Sequence, residues 1–291
     1  MSNTNGRLPA RSTAWLEDNL ADPGLRIYDC TAYLRPDPET VFRVESGREE
    51  WARAHIPGAN HVDIEKDISD PDSPLRFTMP KRADFAAAMA ALGVSDRTEV
   101  VLYSATHYMW ATRVLWMLQD IGFTNASILD GGLPKWLRED RPMTSEARSY
   151  APGNLTVRPA GTHFVGKDAV LSAIDGSGAA LVNALPPGQF RGDPNETNHG
   201  RLGRIASSIN IPANALLDPK EGILREIDDI ADMAAGAGLS RDQPVICYCG
   251  GGVSATCVAI ALQACGYNDV SVYDGSMNEW VQDPDLPMEI G

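Results

Sequence analysis

The chain has 291 residues, of which 43% are hydrophobic and 22% charged, which is typical of a globular protein with a full apolar core. The formal net charge is −14, and this acidity argues against nucleic acid and anionic membranes as partners, because both bind clustered Lys and Arg. No apolar stretch reaches the roughly 20 residues of a membrane-spanning helix, and the N-terminus lacks the apolar core of a signal peptide. We therefore expect a cytoplasmic protein.

The cysteines favour a reduced compartment. Their number is odd, and all but the first fall in one 19-residue stretch, whereas a disulfide framework is spread more evenly. A C-x-C pair is present, but no second pair at finger spacing and no histidine after residue 200 accompany it, so we expect no metal site. The cysteines are Cys30, Cys247, Cys249, Cys257 and Cys265.

The chain repeats itself. Residues 100–136 resemble residues 245–280, with matches at an offset of 145 before a central loop and 144 after it. The loop of the first copy is therefore one residue longer. A period of this size predicts a duplicated domain rather than a solenoid. The matched pairs include Val100 and Val245, Tyr103 and Tyr248, Ala111 and Ala255, Gly122 and Gly266, and Trp136 and Trp280.

A weaker sequence similarity lies upstream in each copy. Residues 25–30 resemble residues 180–185, and residues 54–64 resemble residues 203–213. These matches extend the duplication over nearly the whole chain.

Helices and strands are predicted to alternate. In chain order, the first copy is expected to contain a helix (12–20), a buried strand (25–30), a helix (82–93), a central strand (99–103), a helix (111–122) and a strand (126–130). The second copy is expected to repeat this order, with helices at 167–174, 227–238 and 255–266 and strands at 180–185, 244–248 and 270–274. Such alternation predicts the α/β class, with a mainly parallel sheet flanked by helices in each domain.

We place the first domain at residues 1–145 and the second at residues 160–291. The residues between them, 146–159, lie in a segment rich in Pro, Ser and Gly without clear periodicity. That composition predicts an interdomain linker.

The stretch CGGGVS at residues 249–254 follows the second central strand and precedes a helix. Ligand sites of α/β sheets lie at such junctions. Glycine permits the left-handed torsions that let backbone N–H groups curl around one point, and the helix N-terminus adds a positive dipole end. We expect the N–H groups of Gly250, Gly251, Gly252, Val253 and Ser254 to form an electropositive cradle. A thiolate on Cys249 would be stabilised there and act as a nucleophile.

A plain connecting turn is the alternative interpretation, since buried cysteines commonly serve as small core residues. The repeat argues against it. Ser104 occupies the position of Cys249 in the first copy, and SATHYMW replaces the triple glycine. Glycines needed only for the fold would be expected in both copies, so the chemistry is predicted in the second copy alone.

Taken together, the motifs resemble those of the tandem-domain rhodanese-type sulfurtransferases. The resemblance implies two rhodanese-like α/β domains, the first catalytically silent, and a Cys249 persulfide that carries sulfur from thiosulfate or 3-mercaptopyruvate to cyanide or a thiol. It implies a small anionic donor, a thiophilic acceptor and no cofactor; we expect a monomer. The motifs are residues 55–74, DGGLPKW (130–136), LLDP (216–219), CGGGVSAT (249–256) and YDGSMNEW (273–280).

The donor stays open at this point. The CGGGVS loop leans toward the mercaptopyruvate-preferring members, yet their donor-binding arginine corresponds to Gln189, and a second arginine has no clear match near Asn198. A loop serine and an upstream histidine of that group correspond to Gly251 and Phe77. We expect Arg191, Arg201 or Arg204 to supply the missing positive charge, with Arg191 and Arg204 as the predicted donor-binding residues.

Two other classes of function also use a cysteine in such a loop. A cysteine phosphatase needs Cys-x5-Arg, but Ala255 and Thr256 stand where that arginine would be, so its fork for phosphate is absent. A non-catalytic sulfur relay to a protein acceptor remains the alternative. For the remaining candidates we expect structural roles: the other cysteines pack in the core, Asp130 and Asp274 cap or turn the chain, and histidines other than His55 lie in solvated loops.

Overall fold

Helices and strands alternate in both halves of this computed structural model, which describes residues 8–37, 41–159, 161–176, 178–196 and 199–291. The first half contains β1 (Ala10–Arg11), α1 (Thr13–Asp18), β2 (Leu25–Asp29), β3 (Ala32–Asp37), β4 (Val41–Ser46), α2 (Arg48–Arg53), β5 (Ala59–His61), α3 (Ile64–Asp67), α4 (Arg82–Ala91), β6 (Glu99–Tyr103), α5 (Met109–Asp120), β7 (Ala126–Leu129) and α6 (Gly132–Arg138). The second half contains β8 (Phe164–Val165), α7 (Lys167–Ile174), β9 (Ala180–Asn183), α8 (Pro187–Arg191), β10 (Arg204–Ile205), β11 (Ser208–Asn210), a 3-10 turn (Ala213–Leu216), α9 (Ile227–Gly236), β12 (Val245–Tyr248), α10 (Ala255–Ala264), β13 (Val270–Tyr273), α11 (Ser276–Trp280) and β14 (Met288–Glu289).

Each half is built on one five-stranded sheet. The strand orders are β1-β7-β6-β2-β5 and β8-β13-β12-β9-β11, so the two sheets have the same topology, and every strand pair within them is parallel. The central strands β6 and β12 are buried along nearly their whole length, since helices cover both faces of the sheet. The predicted α/β fold with two tandem domains is confirmed.

Strand register fixes the correspondence between the two halves. Asp29 pairs with Tyr103, and Asn183 pairs with the equivalent Tyr248, so Asp29 corresponds to Asn183. The predicted alignment of residues 25–30 with 180–185 is therefore wrong by one residue, because a short apolar strand holds no marker for its own register. Ala59 and Ser208 do occupy equivalent positions, and the alignment of the later stretch is confirmed.

The two halves pack through equivalent helices, α5 and α10. The hydroxyls of Thr112 and Thr256, which correspond to one another in the repeat, lie 2.8 Å apart. One apolar core continues from one half into the other across this contact and includes Val114, Leu118 and Val258. None of the described helices is both long and apolar enough to cross a membrane. The shared core holds the loop before α10 against the first half.

The segment 146–159 contains no helix or strand, yet it is bound to the first half. The amide of Gly153 donates to the carbonyl of Ala90 at 2.7 Å, and that of Arg158 donates to Ile121 at 2.9 Å. The Leu155 side chain is buried. This segment is therefore held against the helices of the first half.

Candidate active site

The backbone around Cys249 is clamped by the first turn of α11. The Cys249 amide donates to the Ser276 hydroxyl at 3.1 Å, while its carbonyl accepts from Met277 at 3.0 Å. The next carbonyl, that of Gly250, accepts from Asn278 at 2.8 Å. The loop is thus held on its carbonyl side, which leaves its N–H groups for other partners.

Two of the loop glycines are required by close contacts. Gly252 has φ +72°, in the left-handed region, and a side-chain carbon there would lie 2.6 Å from the carbonyl oxygen of Asp274. At Gly251, a side-chain carbon would lie 2.9 Å from the Asn278 amide nitrogen. The missing Cβ atoms therefore allow the tight packing of this loop against the segment that follows β13.

The N–H groups of the loop are unpaired. Within the described ranges, the amides of Gly250, Gly251, Gly252, Val253 and Ser254 donate no hydrogen bond to the protein. Such groups are costly to leave unsatisfied next to a buried strand end, and they suit an anion. Their convergence on the Cys249 sulfur remains a prediction.

Cys249 lines a cleft of about 770 Å³ between the two halves. Cys249 is only 2% exposed, and a donor would reach it through the cleft. Both halves contribute to the mostly apolar wall, which includes Leu34, Leu75, Trp110, Leu185 and Val281. The site is therefore mostly apolar, and it is larger than a small inorganic donor requires.

The other four cysteines are buried in the core, as expected. Burial raises the pKa of the Cys30, Cys247 and Cys265 thiols, and it raises the pKa of Cys257 to about 12. All four are thus held as neutral thiols away from the cleft.

A buried cation from the first half holds the Cys249 loop. Arg113, on α5, is fully buried; its Nη1 donates to the Gly252 carbonyl at 3.1 Å, and its Nη2 lies 2.8 Å from Asp274 Oδ1. The other Asp274 oxygen accepts from the Met79 amide at 2.8 Å. The expectation that Asp274 merely caps or turns the chain is therefore wrong. The sequence carries no signal of this pair, because its partners come from different domains.

The arginines predicted to bind the donor lie outside the cleft. Arg204 corresponds to His55 and pairs along β10 with Glu289, its Nη2 3.2 Å from that carboxylate. Arg191 is exposed at the end of α8, and Arg201 donates to carbonyls near the C-terminus. The structure thus does not bring these arginines to Cys249, because β14 pairs with β10 and draws Arg204 toward the C-terminus. Asn198 lies outside the described residues.

Arg76 is the one Lys or Arg among the described residues that line the cleft. Its Nε lies 3.3 Å from Glu65 and its side chain is 44% exposed. Gln189 also lines the cleft, where the resemblance expects an arginine. Positive charge at the mouth therefore comes from the first half.

The prediction that all histidines other than His55 lie in solvated loops is wrong. His61 is buried, while His107 and His199 line the cleft. The positions that correspond to the family's loop serine and upstream histidine, Gly251 and Phe77, do face each other: a side-chain carbon on Gly251 would lie 3.8 Å from Phe77. They carry neither a hydroxyl nor an imidazole here.

Two parallel sheets related by duplication, with one cysteine loop in the second half, define a tandem rhodanese-like protein. Residues 12–139 and 167–283 match the Rhodanese-like domain family, and the chain belongs to that family.

Relatives of known activity match the chain over most of its length. It is 33% identical over 276 residues to the 3-mercaptopyruvate sulfurtransferase of Escherichia coli (strain K12), covering 94% of this chain and 95% of the relative. It is also 32% identical over 277 residues to the thiosulfate sulfurtransferase of Cricetulus griseus, covering 92% and 90%. The prediction of a rhodanese-type sulfurtransferase is confirmed at the level of the class.

Solved structures agree. The crystal structure of the Escherichia coli SseA protein, described as having the "Rhodanese" fold and as a 3-mercaptopyruvate sulfotransferase, matches with a TM-score of 0.79 at 31% identity, covering 93% of this chain and 99% of the other. The Tum1 protein of Saccharomyces cerevisiae matches with a TM-score of 0.82 at 23% identity, covering 99% of both chains. The second match supports the fold alone.

Proposed function

We propose that Cys249 carries sulfane sulfur between a small anionic donor and a thiophilic acceptor. The Cys249 thiolate attacks the outer sulfur of the donor, the donor's bond to that sulfur breaks, and the donor remnant leaves with the electron pair. The persulfide then passes its outer sulfur to cyanide or a thiol, and the thiolate of Cys249 returns. This is ping-pong chemistry with a covalent intermediate.

The observation that carries this proposal is the run of unpaired amides behind Cys249. A persulfide ends in a sulfur anion, and in a mostly apolar cleft fixed hydrogen-bond donors stabilise such an anion. The amides of Gly250 to Ser254 are free for that role, and the glycines let them approach closely. The reduced state of a nucleophilic thiol fits a cytoplasmic location.

For the donor we propose thiosulfate ahead of 3-mercaptopyruvate. Recognition of a carboxylate is strongest with a guanidinium fork, and Gln189 stands where the family resemblance expects that fork. Arg76 offers a positive charge at the mouth, and a charge without a fork suits any small anion. Comparison of kcat/KM for the two donors tests this choice; a higher value for 3-mercaptopyruvate would reverse it.

Mass spectrometry tests the intermediate directly. Incubation with thiosulfate should add the mass of one sulfur atom to the peptide that contains Cys249. The Cys249→Ser variant should lose both the adduct and turnover, whereas Cys265→Ala, which alters a cysteine that does not line the cleft, should keep both. An intact protein that gains no sulfur from thiosulfate or 3-mercaptopyruvate would refute the proposal.

A further inference from the structure

His199 lies directly against the loop that carries Cys249. A side-chain carbon on Gly250 would lie 2.4 Å from Cε1 and 2.8 Å from Nε2 of the imidazole. The ring therefore occupies the space that any other residue at position 250 would fill. Both His199 and Cys249 line the same cleft.

The hydrogen bond of His199 fixes which ring nitrogen carries the proton. Nδ1 lies 2.9 Å from Oδ1 of Asn278, an acceptor, so Nδ1 carries the proton. Asn278 is itself held, since its backbone amide donates to the Gly250 carbonyl and its side-chain nitrogen faces Gly251. Nε2, on the Gly250 side, keeps its lone pair and can accept a proton.

The surroundings keep this imidazole neutral. Burial lowers the pKa of His199 from its ordinary value, and the bond to Asn278 only partly opposes that effect. The titratable or charged groups that line the cleft are Cys249, Arg76 and His107; among its described residues there is no Asp or Glu to stabilise an imidazolium. His107 differs from His199, because Nδ1 accepts from the Met109 amide and Nε2 bonds to Asn214.

The two half-reactions differ in their need for a proton. Thiosulfate transfers its outer sulfur to the Cys249 thiolate and leaves as sulfite, with no proton moved. A thiol acceptor brings a proton on its sulfur, and this proton must leave before the sulfur can attack. The outer sulfur of the enzyme persulfide is itself an anion, so a proton placed on it during the transfer avoids bringing two negative charges together. A thiol acceptor therefore needs a group that takes a proton and returns it.

We propose that His199 relays this proton. The inference rests on the proposed function of Cys249. Nε2 takes the proton of the acceptor thiol as its sulfur attacks the outer sulfur of the enzyme persulfide. The bond between Cys249 and that outer sulfur breaks, and Cys249 leaves as the thiolate. Nε2 then returns the proton to the outer sulfur, now bonded to the acceptor. The sum is enzyme persulfide anion plus thiol giving enzyme thiolate plus product persulfide, with atoms and charge balanced.

Single-turnover kinetics of the persulfide enzyme test this relay with an internal control. The full-length protein is loaded with thiosulfate, freed of excess donor, and mixed with either sulfite or 2-mercaptoethanol. Sulfite attacks as an anion and needs no proton transfer. In His199→Gln the rate with 2-mercaptoethanol should fall about a hundredfold, a typical contribution of general acid–base catalysis, while the rate with sulfite stays within about twofold.

The pH profile gives a second readout that a purely structural role would not change. In the wild type, the 2-mercaptoethanol rate should be flat between the pKa of His199 and that of the thiol, because the relay replaces hydroxide, and it should fall below the pKa of His199. In His199→Gln the rate should instead rise tenfold per pH unit over the same range, as the free thiolate becomes available.

The controls separate the possible failures. His107→Gln, a change to the other cleft histidine, should leave the ratio of the two acceptor rates unaltered. Equal losses with sulfite and 2-mercaptoethanol in His199→Gln would overturn the relay, and so would the absence of any loss. If the wild-type enzyme takes up no sulfur from thiosulfate, the function proposed for Cys249 fails instead.

Discussion

The loop after β6 in the first half and the loop after β12 in the second half occupy the same place in the duplicated fold. Their carbonyls are held alike: Ser104 accepts from Leu133 at 3.1 Å, and Cys249 accepts from Met277 at 3.0 Å. Their amides differ. In the first loop a side chain accepts from the first of these amides, since the Ala105 amide donates to the Thr31 hydroxyl at 2.8 Å. In the second loop, no amide from Gly250 to Ser254 donates a hydrogen bond within the part of the chain that the structure describes.

At the first amide of the loop, the difference follows from a side chain. Thr31 follows Asp29 by two residues, and Leu185 stands at the same distance from the equivalent Asn183. The Thr31 hydroxyl bonds to Asp29 and reaches the amide of Ala105. Leu185 has no hydroxyl, so the equivalent amide, that of Gly250, stays unpaired. If the second loop binds sulfur as proposed and the first does not, the groups that accept from the same N–H donors would account for the difference.

The largest expected effect comes from closing the second loop as the first is closed. In Leu185→Thr the new hydroxyl should bond to the Gly250 amide, and Asn183 should orient it as Asp29 orients Thr31. Loss of one donor to a developing anion costs about a hundredfold in kcat, and we expect that loss in thiosulfate:cyanide turnover. Leu185→Val, which has the same shape without the hydroxyl, is the matched control. Equal activities of the two variants would contradict the comparison.

A smaller effect should follow from restoring the fork beside the second loop. Gln189→Arg adds a bidentate donor for a carboxylate, and a charged hydrogen bond contributes about 1.5 kcal/mol or more. We expect kcat/KM for 3-mercaptopyruvate to rise about tenfold. Gln189→Lys supplies the charge without the fork and should gain less. If both variants raise kcat/KM equally for thiosulfate and 3-mercaptopyruvate, the cleft lacks a positive charge and not a fork.

The clamp across the domains should have a weaker effect. Arg113 holds the Gly252 carbonyl, whereas its counterpart in the second half, Cys257, has no such reach toward the loop at Ser104. Arg113→Lys keeps a charge near Asp274 but loses one hydrogen bond of about 1 kcal/mol, so kcat should fall about fivefold. Steady-state rates and thermal unfolding, measured together, separate this loss from a loss of folding. An unchanged kcat would show that the loop holds its shape without Arg113.

The last variant, Ser104→Cys, is expected to have no effect on sulfur uptake. Ser104→Cys places a thiol in the first loop at the position of Cys249, but the neighbouring amide of Ala105 stays bonded to Thr31. Incubation with thiosulfate should therefore add sulfur only to Cys249, as peptide mass spectrometry can establish. A second sulfur adduct at residue 104 would show that a cysteine alone suffices and that free amides are not required.

Local signals explain what the sequence predicted. The runs around Val100 and Val245 are apolar and short, so each could only be a buried strand, and the alternation with helices required parallel sheets. The glycines after Cys249 indicated a backbone that approaches another group closely. They lack side chains at positions where the first copy of the repeat has them. These are properties of neighbours along the chain.

The donor-binding residues could not be predicted in the same way. Arg204 looked suitable by its charge and position in the sequence, but β10 pairs with β14 and turns its guanidinium to Glu289. Arg113 and His199 gave no local signal, since each acquires its role from a residue more than 70 positions away.

The amino-acid sequence by itself determined the duplication and the α/β class and predicted one reactive loop, because the signals for each element and for the glycine loop lie within a few residues. Only the tertiary structure decided that Arg113 and His199 meet the Cys249 loop, since each contact joins residues far apart in the chain and that of Arg113 joins the two halves. It also decided that the loop amides stay free. That outcome depends on strand register. The hydrogen bonds between strands set a register that differs by one residue from the alignment of residues 25–30 with residues 180–185.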